Sequence, residues 1–193
     1  MPLVSGDLKK LLYETLKVSC ADVSSSTFAG LLEVPGVALT YQDEECGATP
    51  AHWASWGGQT ECIRVLANTR RVDWNKKNTN RGATPLNDAL WQGHSDIVSI
   101  IVKQPDIDYS VTTHDGETLA QLAVRRAGEK CVEILTGQKK CKCWNIPDRN
   151  GDTPLLAAAK NNKIGMVRPL IKCPRVDLKT RDKRGSSLEV IAR

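Results

Sequence analysis

No apolar run in this chain approaches the roughly 18 residues that a membrane-spanning helix needs. The first residues, Met1-Pro2-Leu3-Val4-Ser5-Gly6-Asp7, have neither the basic nor the apolar stretch of a secretory leader, so no signal peptide is expected. A Gly-x-x-x-x-Gly-Lys phosphate loop, a paired-histidine metal motif and a nucleophile elbow are all missing. These residues therefore give no argument for catalysis, and no motif calls for a cofactor. The seven cysteines are an odd number, scattered from Cys20 to Cys173. Without a leader they read as reduced thiols in a cytoplasmic or nuclear protein.

The net charge of +5 is mild but unevenly placed. Residues 1–115 carry 10 Lys+Arg against 14 Asp+Glu, and residues 116–193 carry 17 against 8. The acidic first part and the basic second part should attract different partners, or different ends of one partner.

A five-residue cassette returns along the chain. It reads Gly47-Ala48-Thr49-Pro50-Ala51, then Gly82-Ala83-Thr84-Pro85-Leu86, then Gly116-Glu117-Thr118-Leu119-Ala120. It recurs as Gly151-Asp152-Thr153-Pro154-Leu155 and Gly185-Ser186-Ser187-Leu188-Glu189. Intervals between the glycines are 35, 34, 35 and 34 residues. A fixed period of this size marks a stacked array whose core is a continuous strip between neighbouring units.

The stretch from Gly82 to Asp115 illustrates one unit. Gly82 suits a turn with positive φ. Thr84 caps a helix start and Pro85 fits its first turn, where a missing N–H costs nothing. That helix runs to Trp91-Gln92 and Gly93 stops it. Ser95-Asp96 opens a second helix, nearly all apolar over Ile97–Lys103 and ended by Pro105. An extended loop returns to the next glycine.

This unit resembles the ankyrin repeat. The likeness rests on Gly-Ala-Thr-Pro-Leu at 82–86, on Gly93-His94 between the helices, and on Ile107-Asp108-Tyr109-Ser110. It returns in Thr49-Pro50-Ala51-His52-Trp53-Ala54 with Val72-Asp73-Trp74-Asn75, and in Thr153-Pro154-Leu155 with Val176-Asp177-Leu178. The third unit is weaker, with Leu119 in the proline place, but keeps Gly128 and Asn145. The resemblance implies an all-α ankyrin-repeat solenoid of helix-turn-helix units joined by β-hairpin-like loops. The expected division is a degenerate capping unit over 1–46, repeats over 47–81, 82–115, 116–150 and 151–184, and a partial repeat over 185–193. Within the first segment, Asp7–Lys17 and a stretch capped by Ser24–Thr27 read as helices. The units exceed the usual length of about 33 residues. Extra residues are expected near the end of each second helix, around Lys76–Asn80 in the first unit, and before Lys142 in the third. Because the chain stops at Arg193 inside a first helix, it reads as a fragment or as an array closed by a half repeat.

In the family, the end of the first helix and the loop tips line a concave groove and vary with the partner. Those helix ends hold Trp56, Trp91, Arg125 and Lys160, followed by Gly57, Gln92, Arg126 and Asn161. The tips hold Tyr41, Asp43, Glu44, Glu45, Lys77, Asn80 and Arg81, then His114, Arg149, Arg181, Lys183 and Arg184. Trp56 and Trp91 beside the basic residues look like an aromatic anchor next to a cationic strip, using the residue types richest in binding hot spots. The alternative is that both merely cover helix ends. Trp53 stands where the family has a core leucine, and Trp74 and Trp144 stand at a buried position of the loop, so these three are assigned to packing. His52 stands where the family has a histidine that ties units together.

Cys141-x-Cys143, with Cys131 and Cys173 near in sequence, lacks the paired Cys-x-x-Cys spacing and a close histidine, which favours packing over zinc. Lys139-Lys140-Cys141-Lys142 reads as a solvated loop. Asn75 and Asn145 stand at places resembling those hydroxylated in other ankyrin proteins, with loop bonding the simpler role. The functional expectation is a non-catalytic module that binds a protein or peptide with an apolar anchor and acidic residues. Nucleic acid or anionic lipid on the basic second half ranks below it, as does a role as the ankyrin segment of a larger enzyme or receptor.

Overall fold

The computed structural model describes Leu39 and residues 42–191. The two helices expected before residue 39, most of the capping unit, Cys20, Tyr41 and Arg193 lie outside the described residues. Within them the chain forms helix pairs. The first pair is α1 (Pro50–Trp56) and α2 (Thr60–Thr69), and the second is α3 (Pro85–Gln92) and α4 (Ser95–Ile101). The third is α5 (Leu119–Leu122), which runs on as a π-turn over Ala123–Ala127, and α6 (Glu129–Thr136). The fourth is α7 (Pro154–Lys160) and α8 (Ile164–Lys172), and α9 (Leu188–Ile191) begins a further one.

Local chemistry explains the helix starts. Thr84 and Thr118 cap α3 and α5 through backbone N–H groups, and Asn87 and Gln121 return the bond to the cap residue. Thr49 does this with His52, whose Nδ1 accepts from the Thr49 amide at 3.0 Å. Proline occupies the first turn of α1, α3 and α7. Gly93 ends α3 at φ 77°, the left-handed conformation expected of it. Gly82, at φ 62°, is required twice over, because a Cβ there would meet the His114 ring at 2.5 Å. The second helix of that pair opens at Ser95, as expected, and stops at Ile101, two residues before Lys103.

First helices stack on first helices, in the order α1, α3, α5 with its π-turn, α7 and α9. Second helices stack likewise, α2, α4, α6, α8. The strip between the two rows is the core. Ile63, Leu66, Leu86, Leu90, Ile97, Ile101, Leu119, Leu122, Leu135, Leu155 and Leu170 are fully buried in it. Trp74 and Trp144 are buried and Trp53 packs half-buried against the cluster, as their assignment to packing required.

The loops between pairs contain no strand among the described residues. Each tip is closed by backbone bonds across it, such as Asn78 N to Ala83 O at 2.9 Å and Asp148 N to Asp152 O at 2.9 Å. An isolated antiparallel bridge joins Arg181 and Ser187. The Gly82 amide bonds back to Asn78 O, whereas Gly116 bonds back only to Thr113 O. The extra residue of the first loop therefore lies in the tip itself. In the third loop the placement differs from the one expected. Cys141 is as far from its cassette glycine as Val72, Ile107 and Val176 are from theirs, and is buried with two of them. The added residue thus follows Cys141 and is absorbed by a 3₁₀ turn over Cys143–Asn145.

Candidate functional site

Stacking aligns the C-terminal ends of the first helices beside the loop tips. The tips hold one another: Thr79 N donates to Cys46 O, His114 N to Arg81 O, and the Lys183 ammonium to Arg149 O. On this face Trp56, Arg81, Trp91 and Arg126 form one ladder. The Arg81 guanidinium lies 4.5 Å from the Trp56 ring centre and 4.8 Å from that of Trp91, and the Arg126 guanidinium lies 4.2 Å from the Trp91 ring centre. Both tryptophans are half-buried and Arg126 is exposed. Cation–π contacts of this kind contribute about 0.5–2 kcal/mol each. The tryptophans are therefore not bare aromatic anchors, because the arginines interleave with them.

Asp88, on α3, accepts a hydrogen bond from Arg81 at 2.9 Å and is almost fully buried. Burial pushes its carboxyl up to about 7, and Arg81 only partly offsets that. Next to it Asn87 is buried and its Nδ2 has no acceptor among the described residues. A cavity of about 30 Å³ opens there, lined by Asn87, Asp88, Trp91 and Glu117 among others.

The basic residues expected beside the tryptophans are largely engaged. Arg125 is ion-paired with Glu117. Lys160 donates to Asp152 at 2.6 Å and to Asp182 at 2.7 Å. The Lys160 bond, helped by the amides of Ser186 and Arg184, holds Asp182 down to about 2. Arg149 bonds to the Asp115 carbonyl and carboxylate, and Arg181 to Gly185 O. Asn161 returns to Ala157 O, while Gln92 and the Arg184 side chain are exposed. His114 joins the site through its backbone and through its ring against Gly82.

Asp88, Glu117, Asp152 and Asp182 were not singled out from the sequence. A signal for two of them was present. The residue after the cassette glycine is Ala48, Ala83, Glu117 or Asp152, and the residue eight later is Trp56, Trp91, Arg125 or Lys160. An acid occurs where the helix end is basic, and alanine where it is tryptophan.

Other sequence-predicted residues are structural in their contacts. His52 is buried, its Nε2 donates to Ala83 O at 2.9 Å, and burial lowers its pKa to about 4. It thereby ties the first pair to the second. Asn75 donates to Asp106 O and accepts from Asp108 N, and Asn145 does the same with Arg175 O and Asp177 N. Each clamps the next loop. His94 and Lys163, which were not singled out for this, reach back to the ends of preceding first helices, at Trp56 O and at Val124 and Arg125 O. Among the described residues there is no group of three or more His, Cys, Asp or Glu able to hold a metal ion. Likewise, no described helix is long and apolar enough to cross a membrane.

No curated protein matches the sequence. Among solved structures, the fold matches a chain of the Bd0816 predatory endopeptidase from Bdellovibrio bacteriovorus in complex with immunity protein Bd3460, at 26% identity and a TM-score of 0.71. That match covers 95% of this chain and 90% of the other. The ankyrin repeat domain of Bcl-3, a member of the IkappaB family, matches at 20% identity and a TM-score of 0.75, over 92% of this chain and 77% of that one. The stacked pairs are those of a fold that typically serves as a protein-binding module. The family described as ankyrin repeats (three copies) matches residues 18–113 and 106–182, and the chain belongs to the ankyrin repeat family.

Proposed function

We propose that this chain binds a protein partner, without catalysis, through the face that carries the Trp56–Arg81–Trp91–Arg126 ladder. The ladder is the observation that carries the reading. It sets two half-buried tryptophans and two arginines in one rigid row, and Trp and Arg dominate binding hot spots. A row already ordered before contact loses little side-chain freedom on binding. The partner presents an apolar group to the tryptophan edges and acidic groups to Arg126 and to the exposed Arg149, Lys183 and Arg184. The ion pairs on Arg125 and Lys160 leave less free positive charge on this face than the composition implies, which weighs against nucleic acid as the ligand. The test is affinity capture with the wild type and with the Trp56→Ala/Trp91→Ala double variant, both checked for native circular dichroism. Loss of the captured protein supports the reading, and unchanged capture overturns it.

A narrower reading, that the partner is a peptidase, has one observation in its favour: the 26% identity across 95% of this chain to a structure of an immunity protein with its endopeptidase. Adding the purified chain to the captured protein in a casein-hydrolysis assay tests it. Inhibition supports the reading, and a captured protein without peptidase activity removes it.

A further inference from the structure

Cys141 and Cys143 bring their sulfurs to 3.4 Å inside the third loop, and both are buried. Cys141 fills the core place taken by valine or isoleucine in the other loops. Cys143 belongs to the 3₁₀ turn created by the added residue. Directly before the buried Trp144 it stands where other loops have Asp73 before Trp74 and Asp108 before Tyr109, so the sulfur pair is particular to this loop among the described ones. We propose that Cys141 and Cys143 are a reversible dithiol–disulfide site that reacts with peroxides.

The pair is set up to ionise once. The hydrogen bond from Cys141 holds the Cys143 thiol below its usual range, with further help from the Ala120 backbone and the Thr118 side chain, while the same contact and burial push Cys141 up. By contrast, Cys131, buried without such a neighbour, is pushed up to about 11. In the first step the Cys143 thiolate attacks a peroxide oxygen. The O–O bond breaks and hydroxide leaves, taking up a proton as water, so Cys143 becomes a sulfenic acid. The Cys141 sulfur then attacks the Cys143 sulfur. The S–O bond breaks, and the departing hydroxide takes the Cys141 proton as a second water. Two thiols and one hydrogen peroxide thus give one disulfide and two waters. Closure draws the sulfurs from 3.4 Å to about 2.05 Å. It tightens the turn that contains Trp144 and Asn145, and the Asn145 side chain clamps the following loop. Oxidation is thereby read out at the junction of the third and fourth pairs. Because both sulfurs are buried, the reaction waits on local opening of the loop and runs slower than oxidation of a half-exposed thiol such as Cys46.

The experiment treats the native chain with hydrogen peroxide and follows intact mass and thiol-containing peptides. In a Cys46→Ser background the mass falls by about 2 Da, dithiothreitol restores it, and the bond maps to Cys141–Cys143. Cys141→Val installs the residue found at the same place as Val72 and Val176. It stops the reaction at Cys143 sulfenic acid, which dimedone traps, and Cys143→Ser abolishes both products. The proposal is overturned if the native chain keeps both thiols while other cysteines oxidise, or if the 2 Da loss persists in Cys143→Ser.

Discussion

Asp88 fixes the direction of Arg81. Its Oδ1 accepts from the guanidinium at 2.9 Å, with 4% of the aspartate side chain and 30% of the arginine side chain exposed. The bond decides how the tip of one loop meets the helix that follows it. It also holds the guanidinium between Trp56 and Trp91, where a freely rotating arginine would spend only part of its time. The residue that organises the exposed ladder is thus itself out of reach of solvent.

That burial has a pH signature. The Asp88 carboxyl is raised to about 7 in the folded chain, against about 3.9 for an unfolded aspartate. The folded state therefore binds the proton more tightly, and stability falls as pH rises from about 4 to about 7, by at most about 4 kcal/mol. Asp88→Asn keeps an acceptor for Arg81 and removes the titration. Urea melts at pH 5 and pH 8 are expected to show the variant gaining on the wild type at pH 8. A stability difference that is the same at both values would contradict this.

His52 acts in the opposite sense. Burial lowers it to about 4, below the unfolded value of about 6.5. The neutral ring bridges Thr49 and Ala83, so stability is lost as pH falls from 6.5 towards 4, by about 3 kcal/mol at full effect. His52→Gln keeps the reciprocal cap, as Gln121 does in the third pair, and cannot be protonated. Its melting temperature is expected to drop less than that of the wild type between pH 7 and pH 4.5. Equal drops would show that His52 is not the acid-sensitive link. Because Asp88 and His52 slope oppositely over one window, only the single variants separate them.

A buried donor without an acceptor is a removable cost. Gln121 Nε2 reaches Ile146 O at 3.0 Å, whereas Asn87, one methylene shorter at the equivalent place, leaves Nδ2 without an acceptor among the described residues. The adjoining cavity of about 30 Å³ has room for the added group. Asn87→Gln is expected to stabilise by about 1 kcal/mol. Denaturation midpoints decide it, and a destabilised variant would mean that the cavity cannot take the longer side chain.

What the sequence makes legible is whatever depends on neighbours in the chain. Thr84, Pro85 and Gly93 act within a few residues of themselves, and their roles as cap, first turn and stop follow from backbone chemistry alone. Trp74 and Trp144 follow from their place in the repeat. Arg81 is different. Its loop position is readable, but its insertion between Trp56 and Trp91 depends on how far one pair is displaced from the next, which period alone does not specify. The same holds for Lys160, whose second partner, Asp182, comes from the following loop. The added residue of the third loop is harder to place, because Cys141 and Cys143 are chemically alike and both are buried, and it is the distance from Gly116 that assigns the repeated core place to Cys141.

The Lys160 cluster supplies the last prediction. Its ammonium joins Asp152 and Asp182, and Asp182 is nearly buried while also accepting the amides of Arg184 and Ser186. Removing the cation leaves two carboxylates facing each other with no counter-charge, and a pair broken from one side costs more than the pair contributed. Arg125 is ion-paired with Glu117, and its own side chain is half exposed, so solvent screens that pair. Arg125→Met is therefore expected to cost about 0–1 kcal/mol, and Lys160→Met more than that at neutral pH. Asp182 is depressed to about 2, so its contribution is present above the unfolded value near 4 and fades as pH falls through 2. The penalty of Lys160→Met should accordingly shrink between pH 7 and pH 3. Thermal melts of both variants at the two pH values check this, and a Lys160→Met penalty no larger than that of Arg125→Met would show that the cluster is a surface ion pair like any other.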